Sequence, residues 1–170
     1  KLIKPSSSSP SPSAPSFQTK PQPLSAEDAK TIITELHAAK KPVVLVGPRG
    51  CHRYPALVQE LIKASGVPVI ATESPRGIGD PSLGAFAEVL AQSDCILLLD
   101  KKLDFTLKFG SSPSFKSDTR FIQVDAEAVE LSRSKNALGV RLLLAAQADL
   151  EPSLTALISA AKTSGCKAHD

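Results

Sequence analysis

The sequence lacks methionine and tryptophan altogether, and its 170 residues include only one tyrosine and three cysteines. With so few large aromatic side chains, a hydrophobic core must be built from valine, isoleucine, leucine and alanine. The cysteines are Cys51, Cys95 and Cys166, an odd number with no CxxC pair, which argues against a disulfide framework or a zinc site. This cysteine usage is typical of a reducing compartment, so we expect a cytoplasmic or organellar protein.

The larger part of the chain also lacks an excess of charge of either sign. The net charge is +3, but Lys1, Lys4 and Lys20 lie in residues 1–24, which contain no acidic residue. Without these lysines, residues 25–170 hold 17 basic and 17 acidic residues. This balance excludes the electrostatic footprint of a nucleic-acid-binding protein. No apolar run approaches the length of a membrane span, so we expect neither nucleic acid nor a membrane as partner.

The beginning of the chain is rich in proline and serine. Residues 5–23 contain six prolines and seven serines, and such a segment cannot bury enough apolar surface to offset its ordering entropy. Because the chain has no methionine, we expect a piece of a longer polypeptide. Residues 1–24 are predicted to be a linker after an upstream domain, with 1–23 mobile, 25–165 one folded domain, and 166–170 a short tail.

From residue 25 onward, short apolar runs alternate with helical patterns. Runs such as Val43–Val46 are continuous and rich in branched side chains, as in strands buried on both faces of a parallel sheet. The alternation predicts an α/β fold with a doubly wound parallel sheet and with Val43–Val46 near its middle. Residues 48–50 are predicted to form a loop, and 111–118 a polar, exposed segment. The predicted strands are 43–46, 67–71, 95–99, 121–124 and 140–144, and the predicted helices cover about 25–40, 54–66, 83–92, 126–131 and 149–161.

Residues suited to ligand binding directly follow the predicted strands, whose ends lie along one edge of a parallel sheet. Glycine lets a ligand approach the backbone, arginine and lysine suit phosphate, and an acid after a late strand can hold a ribose hydroxyl. This pattern predicts a nucleotide site, although tight turns and solvated charges would produce it as well. Neither a Walker A loop nor a GxGxxG fingerprint is present. The candidate cofactor-binding residues are Gly47, Arg49, Gly50, Thr72, Arg76, Gly77, Lys102 and Asp125.

No catalytic constellation or metal-ligand set stands out in the sequence. Cys51 and His52 are sequence neighbours, whereas a catalytic dyad is assembled in space by the fold. A buried cysteine beside an exposed histidine is the simpler interpretation. We therefore predict no catalytic and no metal-binding residue in this chain.

Four segments in order carry a resemblance to a known family: KPVVLVGPRG, LIKASGVPVIATESPRGIG, LAQSDCILLLD and DTRFIQVDAEAVEL. Together they resemble the central domain of thiamine diphosphate-dependent enzymes, over about residues 25–165. The branch of oxalyl-CoA decarboxylase and 2-hydroxyacyl-CoA lyase is the most similar, and acetolactate synthase is further away. The resemblance implies a Rossmann-like, six-stranded parallel sheet.

The resemblance also implies which cofactors this domain could hold. The family's central domain binds FAD in acetolactate synthase-like members, ADP or the nucleotide part of CoA in CoA-dependent members, and nothing in others. This chain has Pro48-Arg49-Gly50 in place of a glycine-rich loop, and Asp100 in place of a glycine. A carboxylate at that position would repel a diphosphate. FAD is therefore not expected, whereas ADP or CoA stays open.

In that family, thiamine diphosphate and Mg²⁺ are held by the two flanking domains. The pyrimidine-binding domain carries the activating glutamate, and the diphosphate-binding domain carries a GDG…N motif. Here Gly79-Asp80 is followed by Pro81, which is not that motif. The resemblance thus implies a non-catalytic domain of a homo-oligomeric decarboxylase, lyase or synthase for 2-keto acids or 2-hydroxyacyl-CoA substrates. The alternative is a free-standing nucleotide-binding module, as in transhydrogenase or electron-transfer flavoprotein.

Overall fold

One sheet of five parallel strands organises the part of the chain that the computed structural model describes, residues 20–72 and 74–165. The strands lie in the order β2-β1-β3-β4-β5, and every neighbouring pair is parallel, as predicted. Val43–Val46 is therefore part of an interior strand, with β3 at the centre of the sheet. The strands are β1 (Pro42–Val46), β2 (Val69–Ala71), β3 (Cys95–Leu99), β4 (Arg120–Asp125) and β5 (Leu142–Gln147).

Helices cover both faces of the sheet, so the fold is doubly wound, as predicted. Val44 and Val46 face a buried aliphatic cluster that includes Ile33 and Leu154 from helices on one side. Leu45 faces a second cluster on the other side, which contains all three phenylalanines that are buried in the described residues. The helices are α1 (Ala26–Ala38), α2 (Pro48–Arg53), α3 (Pro55–Ser65), α4 (Phe86–Gln92), α5 (Ala128–Leu138) and α6 (Leu150–Ser164), with 3-10 turns at Gly77–Gly79, Pro81–Leu83, Phe105–Gly110 and Gly139–Arg141.

The strand order contains one reversal. The chain passes from β1 to β2 on one side, and β3 then pairs with the other side of β1. The connections that follow β1 and β3 therefore leave the sheet in opposite directions. In doubly wound sheets, the crevice at such a topological switch point is where ligands bind, outside the carboxyl ends of the strands.

The prediction of a loop at residues 48–50 was wrong. These residues begin α2, with Gly47 as its N-cap and Pro48 in its first turn. Proline is well suited to this position because its fixed φ matches the helix and its missing N–H would have had no helical partner. Gly50 is buried in this helix, and a Cβ there would lie 2.1 Å from Cγ1 of Val46. The glycine therefore allows α2 to fold back against the strand that precedes it.

The fifth strand begins later than predicted. Val140 lies in a 3-10 turn and is 97% exposed, whereas β5 runs from Leu142 to Gln147. An apolar run of this length does not show at which residue the strand begins. The pairing of β5 with β4 is also irregular, because its register shifts between Phe121 and Ile122. The helix before β5, α5 (Ala128–Leu138), is longer than the predicted helix 126–131. Its buried positions include polar residues, which weakens the apolar stripe.

Other boundaries also differ from the predictions. The second strand begins at Val69 instead of Val67, which is buried outside the ladder. Gly84 has a φ of +57° and separates a 3-10 turn from α4, so the predicted helix 83–92 is divided. The segment 111–118 is not wholly exposed. Phe115 is buried and meets Phe121 edge to face, with ring centroids 5.4 Å apart.

The two ends of the described chain pack onto the domain. Ser25 caps α1, accepting a hydrogen bond from the Asp28 N–H at 3.0 Å. Leu24, at the end of the predicted linker, is buried in the core. The linker was predicted to be mobile, and most of it, residues 1–19, lies outside the described residues. The tail 166–170, which contains Cys166, also lies outside them. No helix in the described ranges is long and apolar enough to cross a membrane.

Candidate functional site at the topological switch point

A cleft of about 460 Å³ lies at the carboxyl edge of the sheet, where β1, β3 and β4 end. We call it the switch-point cleft. Three cationic and four acidic side chains line it, so charge dominates its chemistry. The lining residues are Pro48, Arg49, Asp100, Lys101, Lys102, Asp104, Asp125 and Glu127.

An ion pair between Arg49 and Asp100 joins the segments that leave β1 and β3. Nε of Arg49 donates a hydrogen bond to Oδ2 of Asp100 at 2.8 Å, and Nη2 donates to Oδ1. The Asp100 side chain is 7% exposed and that of Arg49 is 57% exposed. The hydrogen bond from Arg49 to Asp100 raises the arginine pKa above its ordinary value, against the effect of its partial burial. This two-point geometry is the strong form of arginine–carboxylate pairing.

The inner end of the cleft is closed by backbone contact. The Gly47 N–H donates to the Leu99 carbonyl at 3.1 Å, and a Cβ on Gly47 would lie 1.9 Å from the Asp100 carbonyl oxygen. Only glycine fits at this approach. The sequence predicted that Gly47 lets a ligand approach the backbone; in the structure, the segment that lies close to Gly47 is the chain's own end of β3.

The two lysines of the cleft are also engaged. Nζ of Lys102 lies 3.2 Å from Oε1 of Glu130, a buried carboxylate that also pairs with Arg133 at 2.8 Å. Nζ of Lys101 donates to the Thr106 hydroxyl at 2.9 Å. Burial lowers the pKa of Lys101, because the ammonium loses solvation there. Both ammonium groups thus have internal partners.

Asp125 lies at the end of β4 and is buried. Its Oδ1 accepts a hydrogen bond from the Glu127 N–H at 2.9 Å. Burial raises the pKa of the Asp125 carboxyl, and the carboxylates of Asp100 and Glu130 raise it further. Burial is the larger cause of this rise, and the smaller part that comes from Asp100 and Glu130 shows that neighbouring carboxylates disfavour a further negative charge near Asp125.

The structure brings together three of the eight predicted site residues. Arg49, Lys102 and Asp125 line the switch-point cleft. The other five lie outside its lining. Gly47 contacts the end of β3, and each of the remaining four also contacts another part of the chain. Gly50 packs on Val46, the Thr72 hydroxyl donates to the Val46 carbonyl at 3.2 Å, the Arg76 N–H donates to Ser74 Oγ at 3.1 Å, and Gly77 packs on Thr106.

Sequence reasoning missed two acidic residues of this site. Glu127 lines the cleft and Glu130 pairs with Lys102, and both follow Asp125 in the segment DAEAVEL. The spacing offered a signal, because a helix that begins after β4 carries its first-turn acids back toward the strand ends. Recognising these two acids would have indicated that Lys102 has an acidic partner within the chain.

The lining does not fit a diphosphate. A diphosphate needs unpaired donors and a positive potential. Here the guanidinium of Arg49 is bound to Asp100, Lys102 is bound to Glu130, and acidic side chains outnumber cationic ones. In the described ranges, no group of three or more histidine, cysteine or acidic side chains could hold a metal ion. The cleft is therefore a charged crevice in which acidic side chains hold Arg49 and Lys102.

The sheet order and the crevice at its switch point define a doubly wound α/β domain of the kind that includes many nucleotide-binding domains. Residues 29–157 match the family described as thiamine pyrophosphate enzyme, central domain. The chain belongs to this family. The resemblance and the fold class drawn from the sequence are thereby confirmed.

Similar proteins agree with this assignment. The chain is 29% identical over 116 residues to 2-hydroxyacyl-CoA lyase 1 of Dictyostelium discoideum, covering 65% of this chain and 20% of that protein. It is 26% identical over 143 residues to 2-hydroxyacyl-CoA lyase of Saccharomyces cerevisiae, covering 81% of this chain and 25% of that protein. The chain thus spans a quarter or less of the length of these relatives.

A solved structure shows the same fold. A thiamine diphosphate-dependent 4-hydroxybenzoylformate decarboxylase of Rhodococcus jostii superposes with a TM-score of 0.64 at 20% sequence identity. The superposition covers 91% of this chain and 31% of that one. At this identity, the likeness establishes the architecture of the domain.

Proposed function

We propose that this chain is the central, non-catalytic domain of a thiamine diphosphate-dependent lyase that cleaves 2-hydroxyacyl-CoA-type substrates. The match of residues 29–157 to the central-domain family carries the proposal. The relatives named 2-hydroxyacyl-CoA lyase support the choice of reaction. Pyrimidine-binding and diphosphate-binding domains of the same polypeptide would hold the cofactor and Mg²⁺, and the parent enzyme would be a homo-oligomer.

The described residues support a cofactor site outside this chain. Asp80, the acid of the Gly79-Asp80 pair, uses both carboxylate oxygens internally. Its Oδ1 accepts from the Ser82 N–H at 3.0 Å, and its Oδ2 accepts from the Ser74 hydroxyl. Both oxygens of Asp80 thus stabilise a local turn. When bound in the parent enzyme, thiamine diphosphate supplies the carbanion chemistry.

The contribution of this domain in the proposal is structural. The mixed charge of the switch-point cleft supports a domain that binds neither FAD, ADP nor CoA tightly. The five-stranded sheet would then serve as a rigid body between the two catalytic domains. Thermal denaturation with each of the three nucleotides measures this directly, and we expect no rise in midpoint with any of them.

The experiment compares the complete polypeptide with residues 1–170 alone. We expect the complete protein to cleave a 2-hydroxyacyl-CoA when thiamine diphosphate and Mg²⁺ are present, and to lose activity when a chelator removes Mg²⁺. The isolated chain should have no activity and should give no heat on titration with thiamine diphosphate and Mg²⁺. Micromolar binding of thiamine diphosphate by the isolated chain would contradict the proposal. A complete polypeptide without flanking catalytic domains would favour the free-standing module.

A further inference from the structure

We propose that Asp100 is an internal anion that occupies the guanidinium of Arg49 and thereby prevents the switch-point cleft from accepting a diphosphate. The inference goes beyond the proposed function, because it concerns one pair of side chains within this chain. It does not depend on the reaction of the parent enzyme.

The position of the pair supports this role. Arg49 follows β1 and Asp100 follows β3, the two strands between which the chain reverses. The carboxylate is the buried member of the pair, and both of its oxygens accept from the arginine. Asp100 thus engages Nε and Nη2 of Arg49, the two-donor edge with which an arginine would meet a phosphate at a switch-point crevice.

The backbone of Asp100 shows which replacements the site tolerates. Its φ is +52°, in the left-handed region that glycine and asparagine adopt readily and in which most other residues are strained. Its N–H donates to the Val124 carbonyl at 2.9 Å, a bond that does not involve the side chain. Asp100→Asn and Asp100→Gly should therefore keep the local fold while they remove the negative charge.

Asp104 offers a control of equal charge. It lines the same cleft, and its Oδ1 accepts from the Thr106 N–H at 2.9 Å, a bond that asparagine preserves. Asp104→Asn therefore changes the charge of the cleft by the same amount as Asp100→Asn, but it leaves the pair of Arg49 and Asp100 intact. The two variants distinguish release of Arg49 from general neutralisation.

The test is titration calorimetry of the chain and its variants with inorganic pyrophosphate and with ADP. We expect Asp100→Asn and Asp100→Gly to bind both ligands at least about tenfold more tightly than the unmodified chain, in line with the gain of one charged hydrogen-bonding group. Asp104→Asn should resemble the unmodified chain. The double variant Arg49→Ala with Asp100→Asn should lose the gain.

Several results would overturn the proposal. One is equal binding of pyrophosphate by the unmodified chain and the Asp100 variants. Another is an equal gain in Asp104→Asn, which would mean that overall charge controls binding. A gain for ADP without a gain for pyrophosphate would show that the diphosphate is not the group recognised. Circular dichroism and unfolding midpoints establish that each variant is folded, and glycine and asparagine at residue 100 provide two independent versions of the test.

Discussion

Gln22 and Asp149 exchange two hydrogen bonds across 127 residues of sequence. The Gln22 N–H donates to Oδ2 of Asp149 at 2.6 Å, and the Asp149 N–H donates to the Gln22 carbonyl at 2.8 Å. Asp149 occupies the N-cap position of α6, but its side chain makes no capping bond there. The carboxylate instead holds the incoming chain against the start of the last helix.

Replacing Asp149 with alanine should therefore loosen the entry of the chain into the domain. We expect the free energy of unfolding to fall by about 1 kcal/mol, the usual value of such a hydrogen bond, and exchange of the Gln22 amide to become faster. Urea denaturation and amide hydrogen exchange measure the two effects. Glu151→Ala removes an acid from the first turn of the same helix and should leave the Gln22 amide unchanged. Unaltered exchange at Gln22 in Asp149→Ala would refute this role.

The buried carboxyl of Asp125 should make stability depend on pH. Its pKa is raised in the fold above the ordinary value of 3.8. Between 3.8 and the folded pKa, the folded chain therefore binds a proton that the unfolded chain has lost. Stability therefore declines as pH rises from 3.8 through the folded pKa, and stays lower above it.

Asparagine at residue 125 should remove this loss, because it cannot ionise and its Oδ1 can still accept the Glu127 N–H. We expect Asp125→Asn to unfold at a higher temperature than the unmodified chain near pH 7, and the difference to shrink toward about pH 4. Melting curves across this range provide the measurement. Asp118→Asn, at an exposed position, should show no such trend. A constant difference at every pH would argue against ionisation as the cause.

Gly77 should tolerate alanine much less well than Gly84. Both have positive φ, +56° and +57°, so alanine is strained at either position, and the ψ of −128° at Gly84 adds to the strain there. A Cβ on Gly77 would lie 2.0 Å from the Thr106 carbonyl oxygen, whereas one on Gly84 would meet nothing within 4 Å. We expect Gly77→Ala to lose more stability than Gly84→Ala, by about 1 kcal/mol or more in urea denaturation, because the backbone around Thr106 must move to admit the Cβ. Equal losses would mean that the turns after β2 and β3 do not pack as described.

Two phenylalanines test the burial of the segment after β3. Phe115 is 1% exposed and Phe105 is 64% exposed. Phe115→Ala should lower the free energy of unfolding by about 3–5 kcal/mol because it leaves a cavity. Phe105→Ala should change it by less than about 0.5 kcal/mol, as for other surface positions. Comparable effects would contradict the buried position of Phe115.

The candidate site was predictable in its position and not in its pairing. Arg49, Lys102 and Asp125 were placed at one edge of the sheet, because strand ends in a parallel sheet share an edge. The pairing of Arg49 with Asp100 joins residues 51 positions apart, and that of Lys102 with Glu130 joins residues 28 apart. No local pattern specifies such partners. The prediction therefore treated these cations as available to a phosphate.

The sequence by itself determined the alternation of buried strands and helices, the parallel sheet and the family. These follow from apolar periodicity and from motif order, which are local properties of the chain. Tertiary structure alone decided that α2 begins at Pro48, that Phe115 is buried and that β5 begins at Leu142. It also decided that the cations Arg49 and Lys102 of the switch-point cleft are paired with acidic side chains. Burial and ion pairing depend on which distant segments the fold brings into contact, and that information is absent from any single stretch of sequence.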